Sequence, residues 1–327
     1  MKLASIPTDG KWHRDGRLVV VHKDQFAPVP EHIAINMAEA MQDWEATEPK
    51  LRAFHAQLAN GDIKGTPVAG QRFLSPMPRS TCWIDGSAYI QHIILVRKAR
   101  NAEPPETLRT VPLMYQGSAE PMLGPTDDIV VTSEDYGIDF ESEVYVVLDE
   151  VPMGTKAEDA GQYIKLIGIL NDVSLRNLIP AELKAGFGFF HGKPNSAHAP
   201  YLCTPDELGD AWKDCRVHLD LITHLNGKLH GNPNAGPEMH FGFHELIAHA
   251  AKTRPLPAGT VLGSGTVSNV DTSRGSSCLA ETRMLEIINE GEAKTPFMKF
   301  GDTVKIEMFD ANGENLFGTI EQTVRQA

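Results

Sequence analysis

The sequence predicts a β-rich mixed α+β fold, and three observations carry that expectation. From about residue 72 onward, short runs rich in β-branched residues recur: IILVRKA, IVVTSE, ESEVYVVLDE, VHLDLITHLNG, TVLGSGTVS and VKIEMFD. Several of these runs adjoin Gly, Pro or Asn-Gly turns. Helical stretches are few and scattered, unlike the regular strand–helix alternation of a doubly wound parallel sheet. A chain of 327 residues with 41% hydrophobic and 22% charged residues can bury a sizeable core. Its organisation reads as a small N-terminal domain over residues 1–72 and a large domain over residues 73–327.

Taken in order, KLASI and RLVVVHK flank the turn-like TDGKWHRDG, a pattern of small strands in a hairpin-rich N-terminal piece. Residues 31–60 read as helix, because Ile33, Met37, Ala40, Met41 and Trp44 recur at steps of three and four and Asn60-Gly61 ends the run. Residues 157–170 and 243–252 are the other helical expectations. Pro28, Pro30, Pro104 and Pro105 mark loops, and there is neither an internal repeat nor a low-complexity tract.

With 43 acidic against 30 basic residues, the net charge of −13 repels phosphate backbones, so nucleic acid is not an expected partner. The opening MKLASIPTDG carries no apolar core of a secretory signal. The longest apolar-rich stretch, YIKLIGIL, is too short for a membrane span and contains a Lys. Cys82, Cys203, Cys215 and Cys278 are scattered without a C-x-x-C spacing, which reads as free or buried thiols in a reducing cytoplasm.

Chemistry concentrates in a few segments. In Asp139-Phe140-Glu141-Ser142-Glu143, strand spacing would send Glu141 and Glu143, with Asp139, to one face. Such a row is either a solvated edge or a set of hard oxygen ligands for a divalent cation. Asp172 follows the buried-looking IGIL run, where an acid needs a partner, a metal or a helix-capping role. Asp85 is expected in a turn, and His92 at the start of a strand, as a core histidine or a general base. The loops Phe190-His191-Gly192-Lys193 and Gly263-Ser264-Gly265-Thr266 read as weak anion or carbonyl binders. His244-Glu245-Leu246-Ile247-Ala248-His249 is no zinc-protease motif, since its second His falls at i+5 and turns off the first one's face.

In their order along the chain, these segments resemble the fumarylacetoacetate hydrolase family. Asp85 with His92 seven residues on, Tyr115-Gln116-Gly117, Glu141-x-Glu143, Asn171-Asp172-x-Ser174-x-Arg176, Gly192-Lys193, Ser264-Gly265-Thr266 and Glu281 reproduce its series. The resemblance implies a β-roll catalytic domain behind a small N-terminal domain, assembled as a homodimer. It also implies a divalent cation, Mg²⁺ or Ca²⁺ with Mn²⁺ as a further option, held by Asp85, Glu141, Glu143 and Asp172. The implied reaction is hydrolysis of the carbon–carbon bond of a β-diketo acid, as in the breakdown of fumarylacetoacetate in tyrosine and phenylalanine catabolism. Acylpyruvates, or hydration, dehydration or decarboxylation of 2-keto acids, are the alternatives. In this pattern Glu281 orients His92 as the base. Lys193 and Arg176 stabilise developing negative charge, while Tyr115, Thr266 and Arg100 contact substrate.

Overall fold

The strand Ser142–Leu148 is buried along its whole length, and the two cores covering its faces organise the molecule. The computed structural model describes residues 1–10, 13–98 and 103–327. Successive side chains of a strand point to opposite faces. Val144, Val146 and Leu148 therefore enter one core, while Tyr145 and Val147 enter the other. A strand covered on both sides needs no polar alternation, which is why VYVVL shows none.

This strand pairs antiparallel with Ile164–Asn171 on one side and Thr260–Gly263 on the other. The sheet continues past Thr260–Gly263 into Cys82–Ser87, in parallel, and then Leu113–Gln116. On its other flank, Leu202–Cys203 joins Ile164–Asn171 to the N-terminal strands Lys2–Ile6, Arg17–His22 and Gln25–Pro28. The N-terminal strands thus extend the same eleven-stranded sheet. A second sheet of five strands runs from Lys228–Gly231 through Leu221–Leu225, Thr303–Met308 and Ile320–Gln326 to Ile129–Val131. Its Val304, Ile306, Met308 and Val324 share the core of Val144 and Val146. Over the opposite face, Met37, Met41, Trp44 and Leu51 pack from two helices into the core of Tyr145, Val147, Leu166 and Val261. The result is the β-rich mixed fold that the strand runs predict.

Several local expectations change. IILVRK lies in a helix, Ile90–Lys98, and the last residue of the run, Ala99, lies outside the described residues: Ile90, Ile93 and Ile94 share one helical stripe that packs on Leu108 and Leu113. Tertiary packing outweighs the β-propensity of the run. The single helix expected over 31–60 is two, Met37–Gln42 and Trp44–Asn60. They divide at Asp43, whose carboxylate accepts the Ala46 N–H at 3.3 Å and caps the second helix. Gly61 ends that helix in the left-handed region, as Asn-Gly predicts.

The helix expected over 157–170 is confined to Ala157–Ala160, and Ile164–Asn171 is a central strand. Gly168 opposes Tyr145 there, and a Cβ on it would come within 2.6 Å of the Tyr145 ring. Asp85 belongs to a strand, Cys82–Ser87, instead of a turn. All four cysteines are free, and no helix among the described residues is long and apolar enough to cross a membrane.

Candidate active site

Sheet register brings three carboxylates together at one end of the large sheet. Asp85 lies opposite Gly263, and Gly263 lies opposite Tyr145. Glu143 shares a face with Tyr145, two residues away. Leu170 opposes Glu143, and Asp172 follows two residues later, its N–H donating to the Glu141 carbonyl at 2.9 Å. Carboxylate oxygens of Asp85, Glu143 and Asp172 consequently lie within 4.8 Å of one another, and all three residues are buried.

Two of the three have partners. Asp85 accepts the Gly265 N–H at 3.1 Å. Asp172 accepts from Ser196 Oγ at 2.8 Å, from the Tyr115 hydroxyl at 2.6 Å and from Lys193 Nζ at 2.5 Å. Neither oxygen of Glu143 has a hydrogen-bond partner among the described residues. Burial, reinforced by the Asp172 charge, holds the Asp85 carboxyl well above its usual range. Burial and the charges of Asp85 and Asp172 do the same to Glu143. An unpartnered carboxylate in a dry, negative cluster costs several kcal/mol. A hard divalent cation removes that cost, so these three residues fit Mg²⁺, Ca²⁺ or Mn²⁺.

Glu141 turns to other partners. It accepts from Arg176 Nη2 at 2.7 Å and from Lys193 Nζ. Burial alone would raise its carboxyl, yet Lys193 and Arg176 hold it below the usual range. Asp139, expected on the same face, accepts Arg176 Nε at 2.8 Å together with the N–H groups of Leu279 (2.7 Å) and Ala280 (3.0 Å). Its carboxylate thus caps the helix Leu279–Glu290 and ties that helix to Arg176.

The same helix carries Glu281 to His92. Their separation, Nδ1 to Oε1, is 2.6 Å, and Ser268 Oγ donates to the second oxygen of Glu281 at 3.2 Å. His92 therefore sits on a helix against a helix, both rigid elements. Its Nε2 lies 3.8 Å from Glu141.

A cavity of about 660 Å³ opens onto Asp85, His92, Tyr115, Glu141, Arg176, Lys193 and Thr266. The Thr266 hydroxyl is buried there without a hydrogen-bond partner among the described residues. Ile93, Val96, Leu183 and Phe189 supply an apolar wall, and the Phe189 ring meets Tyr115 edge-on with centroids 5.1 Å apart. Arg100 lies outside the described residues.

The backbone N–H groups of the two glycine loops are engaged within the protein. Backbone N–H groups of Phe190, His191 and Gly192 donate to the Glu182 carboxylate at 3.1, 2.6 and 3.0 Å. The anion that the first loop receives is thus the chain's own. In the second loop the Gly265 N–H is taken by Asp85. Ser196 supports the site without a local motif that would single it out, whereas the run GFGFF offers a visible cue to Phe189.

The sequence matches the profile described as fumarylacetoacetate (FAA) hydrolase C-terminal over residues 81–325 and that described as fumarylacetoacetase N-terminal domain 2 over residues 1–79. A 2,4-didehydro-3-deoxy-L-rhamnonate hydrolase of Sphingomonas sp. (strain SKA58) is 25% identical over 269 residues, covering 80% of this chain and 82% of that protein. The mitochondrial oxaloacetate tautomerase FAHD2B of Homo sapiens is 25% identical over 264 residues, covering 78% and 75%. The crystal structure of maleylpyruvate hydrolase from Sphingobium sp. SYK-6, in complex with manganese(II) and pyruvate, matches all of both chains at a TM-score of 0.68 and 17% identity, a likeness of fold. By the profile match over nearly its full length, the chain belongs to the fumarylacetoacetate hydrolase family, whose members are enzymes, hydrolases and isomerases among them.

Proposed function

We propose that the protein is a metal-dependent hydrolase that cleaves the carbon–carbon bond of a β-diketo acid, working as a cytoplasmic homodimer. Fumarylacetoacetate, giving fumarate and acetoacetate, is the leading substrate, and acylpyruvates are the next class. One observation carries the reading: the hydrogen-bonded pair His92–Glu281 stands on the wall of a cavity that also opens onto Asp85 and Lys193. Relatives named as hydrolases of a didehydro-deoxy sugar acid and of maleylpyruvate support a keto-acid substrate. Four free thiols support a reducing compartment.

A divalent cation held by Asp85, Glu143 and Asp172 would polarise the oxygens of the bound diketo acid. The chain's own groups supply the rest. Glu281 accepts the His92 Nδ1–H, which fixes the tautomer and leaves the Nε2 lone pair to take a proton from water. The hydroxide so formed adds to a carbonyl carbon. The bond to the carbon between the two carbonyls then breaks, and that carbon departs as an enolate that takes up a proton. Lys193 and Arg176 put positive charge beside the oxygens on which negative charge develops, and they need no reorganisation to do so. Tyr115 and Thr266 offer hydroxyls to the substrate, and the wall of Ile93, Val96, Leu183 and Phe189 excludes water around its carbon chain.

The test is a panel of fumarylacetoacetate, acylpyruvates and 2-keto-3-deoxy acids, followed by loss of diketone absorbance and by product analysis, with Mg²⁺ or with EDTA. Metal-dependent loss with two acid products supports the reading. Named relatives that are oxaloacetate tautomerases favour a second one, in which the same His92 moves a proton between carbon and enol oxygen. Enol-to-keto conversion of oxaloacetate with every diketo acid left intact would select the tautomerase.

A further inference from the structure

Behind His92, which lines the cavity, lies a second donor set of different chemistry. Cys278 Sγ, a ring nitrogen of His92 and a carboxylate oxygen of Glu281 lie within 4.8 Å of one another, and all three residues are buried. We propose that this trio is an inhibitory site for a thiophilic divalent ion such as Zn²⁺, separate from the carboxylate site that suits Mg²⁺. The inhibitory half of the proposal rests on His92 being the base of the reaction above.

The donors sit on elements that hold them in place. Cys278 is the extended residue that precedes the helix Leu279–Glu290, and Glu281 stands in the first turn of that helix. The partner helix, Ile90–Lys98, carries His92. Zinc bonds to sulfur, nitrogen and oxygen of about 2.0–2.3 Å set tetrahedral ligands roughly 3.3–3.8 Å apart. To reach that range the 2.6 Å between His92 Nδ1 and Glu281 Oε1 must widen, while the other donor separations lie within 4.8 Å. Thiolate and carboxylate together neutralise a dication, and thiolate with imidazole favours Zn²⁺ over Mg²⁺ or Ca²⁺. The carboxylate trio Asp85, Glu143 and Asp172 has no sulfur or nitrogen donor and has the opposite preference. Cys82, Cys203 and Cys215 join no such cluster among the described residues.

The proton balance explains why occupancy would stop the reaction. Binding releases the Cys278 thiol proton to solvent. When the ion takes the Nδ1 lone pair of His92, the proton on Nδ1 moves to Nε2, and the imidazole stays neutral. Nε2 is then a donor, and the lone pair that accepts a proton from water is gone. Cys278 makes no side-chain hydrogen bond to the site's groups among the described residues, so its loss leaves the hydrolytic machinery intact.

The experiment uses the full-length protein with Mg²⁺ in excess, as wild type, Cys278→Ser and Cys278→Ala. Zn²⁺ is titrated against turnover and counted by equilibrium dialysis, and Co²⁺ is added as a spectroscopic probe. Wild type should bind one further Zn²⁺, lose turnover reversibly to EDTA, and give the near-ultraviolet thiolate-to-cobalt charge-transfer band. Both variants should keep wild-type turnover with Mg²⁺ and no zinc, lose the band, and need at least about tenfold more Zn²⁺ for inhibition, the usual scale when a metal site loses support. A wild type without the band, or variants that retain both band and inhibition, would overturn the site. Should the protein hydrolyse no diketo acid, band and stoichiometry still decide whether the trio binds the ion.

Discussion

Gly263 and Asp85 face each other across parallel strands, and the space a side chain would fill at Gly263 holds the Asp85 carboxylate. A Cβ there would collide with Asp85 Oδ1 and lie 2.7 Å from the buried Trp83 ring. Gly263→Ala should therefore push Asp85 off the Gly265 N–H and overpack the core, at about 1–3 kcal/mol of stability. Urea unfolding reads the second effect, and calorimetric titration with Mg²⁺ reads the first as weaker binding. Unchanged Mg²⁺ affinity would show that Asp85 is no ligand.

Glu143, with both oxygens unpartnered, should behave oppositely with and without metal. In EDTA, Glu143→Gln should unfold at or above the wild-type temperature, because one of three mutually repelling buried carboxylates is gone. With Mg²⁺ at about 100 times its dissociation constant, wild type should gain about 2.7 kcal/mol and the variant far less. Thermal scans in both conditions check this. An equal Mg²⁺ shift in the two proteins would place the cation elsewhere.

Much of the site was legible because its chemistry is tied to residue type and order. His92, Glu281, Lys193, Asp172, Glu143 and Asp85 converge on one cavity and its wall from six separate segments. Spacing failed where tertiary contacts decide direction. Asp139 belongs to a separate short strand, Ile138–Asp139, paired with Ser174–Leu175, and Glu141 lies between it and Ser142–Leu148, so parity with Glu143 does not carry across. Both carboxylates are free to turn to Arg176, and Glu141 also to Lys193. IILV reads as strand from sequence, because short apolar runs do not distinguish strand from helix. Only the packing of Ile90 and Ile93 on Leu108, which is invisible in one dimension, makes that run helical.

His198 gives a pH dependence independent of the metal site. Its ring stacks on Tyr145 with centroids 4.5 Å apart, Nδ1 lies 2.8 Å from Ser75 Oγ, and Nε2 has no partner among the described residues. Burial pushes the imidazole down to about 3, against ~6.5 in an unfolded chain. Between those values the unfolded chain takes up a proton that the fold refuses. This stability is therefore complete above ~6.5 and is lost as pH falls, by about 2 kcal/mol between pH 7 and pH 5. In urea unfolding, His198→Gln should lose about that much less than wild type over the same interval. Parallel curves for the two proteins would mean that His198 is protonated in the fold.

Separating base from ligand is the sharpest test of the His92–Glu281 pair. The carboxylates Asp85, Glu143 and Asp172 already offer a hard cation its preferred donors, and His92 is not among that group. His92→Ala should therefore keep the Mg²⁺-induced rise in unfolding temperature while turnover falls about 10²-fold or more, the usual scale for a lost general base. Glu281→Gln leaves a hydrogen-bond acceptor 2.6 Å from Nδ1 but removes its charge. That variant should lose less turnover than His92→Ala and should likewise keep its metal response. Because both act on one proton transfer, the double variant should be little worse than His92→Ala alone, a strongly non-additive cycle. Additive losses would mean that the two residues serve separate steps. A His92→Ala protein that no longer responds to Mg²⁺ would make the imidazole a ligand and leave the water without the base assigned to it here.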